Sequence, residues 1–470
     1  VAQSLLLARV SERFAARFAN VSIFSRGSSN LSESIRAKAA VSSARATFGF
    51  LSRQRPRYRR TLLIFSQVFI PDPASVGQHL YDVAQEMHRR GFRVRVYTAR
   101  RGYDDPSRIY KAKETINGIE VRRLPLSSFG KSTIFTRAMG TISFQIQAIF
   151  RGVFTGHLAG IFFSTSPPLI GFAATVVRMF RTIPIAYWAM DLNPDQLIAI
   201  GKLGHDAPTA AFLESANRMI LKNSSLIIAL DRFMAQRIRS RVKTDGKLVI
   251  IPPWPHQSCI EPIAHADNPF RAEHGLEGKF VVMYSGNHSP SNPLITLLSA
   301  IERLKDDPHI RFLFIGGGIV KKELEAFIRQ RNLTNVVCLP YQPLESLRFS
   351  LSAADVHVVS LGNKMAGIIH PCKVYGAMAV GRPVLYFGPS PSHIADMLDA
   401  APFGIRVEHG NVDQAVTAIR TLQTMPPEQR QAMGDLAQRV LSQAFSQESL
   451  CSRLCDGLQL VFRSRSMGQS

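Results

Sequence analysis

Lys373 follows His370 by three residues in the stretch Ile368–Gly388, IIHPCKVYGAMAVGRPVLYFG, and the two have the types and the place to handle negative charge. Pro371 suits the first turn of a helix, Gly376, Ala377 and Ala379 allow close packing, and Gly381 with Pro383 ends the helix before the apolar run Val384–Phe387. A helix start offers unpaired N–H groups and the positive end of a dipole, so an ammonium and an imidazole there would hold an anion. An ordinary helix–strand unit with a chance lysine reads the same way, and the case has to be built from further groups. Gly316-Gly317-Gly318 lies between a strand-like and a helical run, where glycines let backbone N–H groups approach a phosphate, with Lys321 and Lys322 close by. Gly286-Asn287 makes a similar turn after Phe280–Tyr284. Asp191, just past the run Pro184–Met190, is placed to act as an acid or base, although Asp191-Leu192-Asn193-Pro194-Asp195 is also plain turn sequence. Neither GxGxxG nor GxxxxGK followed by Ser or Thr occurs, which excludes the dinucleotide fingerprint and the P-loop.

These residues fall at the ends of apolar runs of strand length. In the first half the runs are Leu62–Phe69, Phe92–Thr98, Ile161–Phe163, Pro184–Met190, Leu226–Leu230 and Leu248–Ile251. In the second they are Phe280–Tyr284, Arg311–Ile315, Val336–Leu339, Val356–Ser360 and Val384–Phe387. Helical spacing recurs between them, and strand, loop, helix, strand predicts parallel units whose ligands lie at the carboxyl ends of the strands. Asn117-Gly118 between β-rich residues predicts a hairpin. Residues 132–155 form an apolar helix with Phe135, Ile142, Phe144, Ile146, Ile149, Phe150 and Phe154, read here as core in preference to a membrane-facing surface. Pro252-Pro253-Trp254-Pro255 stiffens the chain as it leaves the first half. The expected partition is a basic, disordered extension at 1–60, a lobe at 61–251, a linker at 252–278, a second lobe at 279–445, and a C-terminal helix at 446–470 that crosses back to the first lobe and ends in a polar tail. The fold class is therefore α/β: two Rossmann-like doubly wound lobes with a ligand cleft between them.

At 470 residues the chain is too long for one core, and 46% apolar residues is ordinary for a globular protein. Cys259, Cys338, Cys372, Cys451 and Cys455 contain no CxxC pair, which argues for a reduced, cytosolic compartment and against zinc or a disulfide frame. The net charge is +23, and twelve Arg or Lys against Glu12 and Glu33 place +10 of it within residues 1–60. That segment reads as a disordered extension or as one drawn to anionic lipid. No uncharged run reaches the ~18 apolar residues of a membrane span, and no nucleic-acid-reading motif accompanies the charge.

Several strings in order along residues 61–460 resemble retaining glycosyltransferases of the GT-B fold, family four, of the kind that build exopolysaccharide or O-antigen units. They are Ala74-Ser75-Val76-Gly77-Gln78-His79-Leu80, Glu114-Thr115-Ile116-Asn117-Gly118-Ile119, Ser166-Pro167-Pro168, Tyr284-Ser285-Gly286-Asn287, Phe314-Ile315-Gly316-Gly317-Gly318 and the HPCK stretch. The resemblance implies a hexosyltransferase-type enzyme with a nucleotide-sugar substrate in the second lobe, a glycan or polyprenyl-diphosphate-linked acceptor in the first, no cofactor, and a peripheral place at the inner face of the cell membrane. It implies that Gly286 and Asn287 face the diphosphate, that Gly316, Gly317, Gly318 and Tyr341 lie on the nucleotide side, and that Ile369 and Pro371 adjoin them. Gly77, Gln78 and Ser166 would line the acceptor side, with Lys373, Asp191 and His370 as catalytic residues. The sequence departs from the family at the usual glutamate pair, here Ile368 and Gly376, and at the usual phosphate-clamping cations, here Asn287 and Asn292. Lys373 in Lys373-Val374-Tyr375 is the surviving phosphate cation. No Asp-x-Asp pair closes a strand of the second lobe, so no metal is expected. A nucleotide-sugar epimerase of the same fold and a catalytically degenerate nucleotide-sugar-binding protein remain alternatives.

Overall fold

The computed structural model describes residues 60–72, 74–102, 107–127, 134–255 and 261–463. The basic segment, apart from Arg60, and the end of the polar tail lie outside the described residues. The first lobe is an eight-stranded sheet in the order β3-β4-β2-β1-β5-β6-β7-β8. Its strands are β1 (Thr61–Phe65), β2 (Arg93–Ala99), β3 (Lys113–Ile116), β4 (Ile119–Leu124), β5 (Leu158–Phe163), β6 (Ile185–Trp188), β7 (Leu226–Ala229) and β8 (Leu248–Ile250). All neighbours are parallel except β3 and β4, which form the Asn117-Gly118 hairpin with both turn residues at positive φ. Leu62, Leu63, Ile64 and Phe65 are all fully buried, the mark of a central parallel strand covered on both faces. The covering helices are α1 (Ser75–Arg89), α2 (Ile134–Val153), α3 (Ile170–Arg181), the short α4 (Asp195–Ala199), α5 (Pro208–Asn223) and α6 (Arg232–Arg241).

The apolar stripe expected to be core is split in α2. Phe144 and Ala148 are buried, while Ile142, Ile146, Phe150 and, just past the helix, Phe154 face solvent. A helix lying on a sheet buries one stripe only, and here the opposite stripe is apolar too.

The second lobe is a six-stranded, wholly parallel sheet in the order β11-β10-β9-β12-β13-β14. Before it comes α7 (Pro269–Glu273), and then follow β9 (Phe280–Ser285), α8 (Ile295–Arg303), β10 (Ile310–Ile315), α9 (Lys321–Gln330), β11 (Val336–Leu339), α10 (Leu347–Ser352), β12 (Val356–Ser360), α11 (Lys373–Ala379), β13 (Val384–Phe387), α12 (His393–Ala400), β14 (Gly404–Val407), α13 (Val412–Thr424) and α14 (Pro427–Ala444). The stretch read as linker is part of this lobe from about residue 263. Phe270 packs with Val281 and Leu313, Asn268 donates to the Phe349 carbonyl at 2.9 Å, and the Arg271 guanidinium binds the carbonyls of Ala353, Leu276 and Lys279. The last helix, α15 (Gln447–Arg463), packs on α1 of the first lobe, burying Leu450, Leu454, Leu458 and Phe462. Phe462 lies so close to Gly160 that a Cβ there would come within 2.4 Å of its ring.

The lobes meet where α6 begins. Asp231 caps α6 by accepting from the Met234 N–H at 2.8 Å, and its other carboxylate oxygen lies 3.2 Å from Nδ1 of His370 in the second lobe. Nε2 of His370 is 2.8 Å from the Tyr375 hydroxyl. Arg232 binds Asp396 through two hydrogen bonds of 2.5 and 2.8 Å, Arg237 donates to the Ala366 carbonyl at 3.0 Å, and the Leu192 N–H donates to the Ile368 carbonyl at 2.9 Å. Gly367 has φ +70° and no room for a side chain, since a Cβ would sit 2.6 Å from the Phe233 backbone. Burial alone would raise the Asp231 carboxyl, yet the hydrogen bond and charge of His370 hold it below its ordinary value. Asp231→Ala removes both a helix cap and the partner of His370, and denaturant unfolding should show a loss of about 3 to 5 kcal/mol. Asp456→Ala, at a carboxylate 67% exposed opposite Arg90, should move the midpoint hardly at all.

Candidate active site

Two glycine turns leave the carboxyl ends of β9 and β10 and pack backbone against backbone. A Cβ on Gly316 would lie 2.2 Å from the Gly286 carbonyl, and one on Gly318 would lie 2.2 Å from the His288 carbonyl and 2.5 Å from the Asn287 side chain. Gly286, Gly316 and Gly318 all have φ near +130°, so the turns require glycine for conformation as well as for space. Tyr341, from the loop after β11, covers Gly317, and the Tyr284 hydroxyl fixes the first turn by donating to the Asn287 carbonyl at 2.9 Å. Lys321 is turned inward, donating to the Gly316 and Leu339 carbonyls at 2.5 and 2.7 Å, so it braces the second turn. Gly286, Asn287, Gly316, Gly317, Gly318 and Tyr341 are therefore brought together, as the sequence suggested.

Lys373 joins them from the first position of α11. Its side chain runs along Gly286, where a Cβ would meet Cε at 2.7 Å, and its Nζ lies 5.2 Å from the centre of the Tyr284 ring. Among the described residues no carboxylate pairs with it. Burial pulls the ammonium down to about 8, although the residue as a whole is half-buried. The helix begins two residues later than the proline pattern suggested and has only seven residues, so the positive charge here is chiefly that of Lys373 itself. Ile369 and Pro371 are buried in the turn that leads to it.

Asp191 stands on the first-lobe side, after β6, within electrostatic reach of Cys372. Burial raises its carboxyl to about 6. Gly77 and Gln78 lie in the first turn of α1 and Ser166 in the loop after β5, on neighbouring loops of the same sheet edge. Gly77 lets that turn approach the Phe69 backbone, 3.1 Å from where a Cβ would be. His370 is placed differently from an open acid or base. Its side chain is buried and both ring nitrogens are engaged, with Asp231 and Tyr375. The sequence reading missed Asp231, although an Asp following the strand run Leu226–Leu230 and opening a helix carries an N-cap signal. Among the described residues no group of three or more His, Cys, Asp or Glu is disposed to hold a metal ion.

Two family models match the chain: a Glycosyl transferase 4-like domain over residues 75–254 and Glycosyl transferases group 1 over residues 267–440. A protein of Escherichia coli (strain K12) named as the colanic acid biosynthesis glycosyl transferase WcaI is 23% identical over 383 residues, 78% of this chain and 92% of that one. The Pseudomonas aeruginosa protein named as glycosyltransferase WbjE is 25% identical over 240 residues, 51% of this chain and 60% of its own length. Among solved structures, the sucrose-phosphate synthase of Thermosynechococcus elongatus superposes with a TM-score of 0.69 at 17% identity, covering 86% of this chain and 99% of that one. Anabaena HepE, solved in complex with UDP and glucose, gives 0.64 at 14% identity, covering 85% and 100%. Each lobe carries its own family match and the two-lobed fold is shared along most of the chain, so the protein belongs to the GT-B glycosyltransferases, with a glycosyl transferase 4-like first lobe and a group 1 second lobe.

Proposed function

We propose that the enzyme moves a sugar from a nucleotide-diphosphate sugar to a lipid-linked glycan acceptor, with retention of anomeric configuration and without a metal, in cell-surface polysaccharide biosynthesis. The observation that carries this reading is Lys373, an ammonium with no carboxylate partner among the described residues, lying along the Gly286 turn, with Asp191 of the other lobe, like Lys373, within electrostatic reach of Cys372. In the reaction the bond from the anomeric carbon to the phosphate oxygen breaks, a bond to the acceptor oxygen forms, and the acceptor's proton passes to Asp191. Charge builds on the departing diphosphate, where Lys373 stabilises it. Retention places the attacking oxygen on the same face as the leaving group, consistent with Asp191 and Lys373 approaching one site from opposite lobes. The name of the colanic acid relative supports the polysaccharide role, and the UDP complex of HepE supports a nucleotide-sugar substrate. An epimerase would need free acid and base groups from both lobes, and His370 has neither nitrogen to spare.

Lys373→Ala should lose about 2 to 4 kcal/mol of transition-state stabilisation. The assay is nucleotide release from a panel of nucleotide sugars; unchanged turnover would remove the residue from the mechanism, and loss of activity in EDTA with recovery in manganese would overturn metal independence. The base must be ionised and the ammonium protonated, so kcat/KM should fall as pH drops through about 6, where Asp191 gains its proton, and as it rises through about 8, where Lys373 loses its own. In Asp191→Asn the acid limb should vanish.

The surface of the first lobe supports a membrane-facing role. Phe150 and Phe154 are 65% and 71% exposed, and Met179 and Phe180, at the end of the adjoining α3, are 75% and 71% exposed. Arg151, Arg178 and Arg181 lie among them, a mixture suited to an anionic lipid surface. No described helix is long and apolar enough to cross a membrane. In flotation with anionic vesicles at low salt, the full chain should float, and Phe150→Ser with Phe154→Ser, or loss of residues 1–60, should each reduce the floating fraction. A soluble full chain at every salt concentration would favour a soluble acceptor instead.

A further inference from the structure

Below Asp191 the first lobe holds a small recess for which the transfer chemistry has no use. It lies between the carboxyl ends of β5 and β6 and the helices α3 and α5, lined by Ser164, Thr165, Leu169, Tyr187, Asn193 and Asn217 with Asp191. It encloses about 20 Å³, room for one water molecule or one hydroxyl group. Gly171 keeps it narrow, because a Cβ there would come within 2.4 Å of Ile220 and 2.7 Å of Phe163.

Two polar atoms on its wall are unmatched. Ser164 is fully buried and its Oγ has no hydrogen-bond partner among the described residues, and Asn217, 4% exposed in the middle of α5, has none there for Nδ2. Buried donors without partners are costly, and asparagine is a poor choice for the inner face of a helix, so two of them converging on one small space point to something that fills it. The lining chemistry selects the filler. Among the described residues no Lys, Arg or His lines the recess, so a carboxylate or phosphate would lie uncompensated against Asp191. The Asn217 amide and the Ser164 and Tyr187 hydroxyls offer donors, and Asp191 offers an acceptor, which fits a neutral group that both accepts and donates.

We propose that this recess is a specificity subsite of the acceptor, in which Ser164 and Asn217 bind one free hydroxyl of the acceptor sugar and so hold a neighbouring hydroxyl against Asp191. The proposal rests on the transferase reading and adds to it that the acceptor is a sugar with a vicinal diol at the reacting position. A single ring hydroxyl in the recess fixes the ring by one point, and Asp191 supplies the second.

Binding of methyl glycosides of the common hexoses and 6-deoxyhexoses, followed by saturation-transfer difference NMR, tests it without any donor sugar. The expected result is that at least one glycoside binds, that its monodeoxy analogue lacking one vicinal hydroxyl binds at least fivefold more weakly, and that Ser164→Ala and Asn217→Ala each weaken the parent by a similar factor. The variants should not weaken the analogue further, since the contact it lacks is the one they remove. Nucleotide binding and the thermal midpoint should stay near those of the unaltered protein, and should Asn217→Ala fail to fold, Ser164→Ala decides. No binding of any glycoside, or equal binding of parent and analogue by all three proteins, would mean that the recess holds a structural water only. Failure of the transferase reading would show separately, as an absence of nucleotide-sugar binding.

Discussion

The contact between Asp231 and His370 is the constraint on which the arrangement of the site depends. A carboxylate buried this completely needs its lone pairs occupied, and Asp231 uses one oxygen on the first turn of α6 and the other on the imidazole of the opposite lobe. The His370 ring joins both sides, with Nδ1 on the Asp231 carboxylate and Nε2 on the Tyr375 hydroxyl. The network thereby sets the Pro371 turn against the first lobe and orients the helix that carries Lys373. With Arg232 on Asp396 and the backbone bond from Leu192 to Ile368, it brings Asp191 and Lys373 to the same cleft.

Lys373 is held in an environment that does not suit its charge. Enclosure by protein disfavours the ammonium, and the face of Tyr284 offsets only part of that cost. An incoming diphosphate would remove the imbalance, so the desolvation cost of the lysine is already met before binding. The glycine turns are likewise set in advance, since their backbones are fixed by one another and by Lys321, with the Gly286 and Gly316 N–H groups held by the Ile315 and Leu339 carbonyls.

Much of this was legible in the sequence, for identifiable reasons. Central parallel strands write themselves as unbroken apolar runs, and turns that need positive φ write themselves as Gly286, Gly316 and Gly318. What escaped is what depends on two distant segments meeting. Asp231 and His370 are 139 residues apart, and each alone reads as a cap or as a loose imidazole. The segment after Pro255 looked like a linker because Phe270 and Arg271 acquire meaning only against Val281 and Ala353. Phe144 is core as expected, but Phe150 and Phe154 were misassigned as core because a helix apolar on both stripes gives no sequence cue to which stripe the sheet takes.

The return of α15 to the first lobe has a mechanical consequence. The chain belongs to the first lobe up to Pro255 and to the second from Ile263, and it returns to the first between Phe445 and Gln447, so two covalent connections join the same pair of bodies. A body held at one point can swivel and twist freely; held at two, it keeps easy rotation chiefly about the line through both. Any opening between the lobes would thereby be channelled into the motion of a book about its spine, with the Leu192 N–H meeting the Ile368 carbonyl again on return.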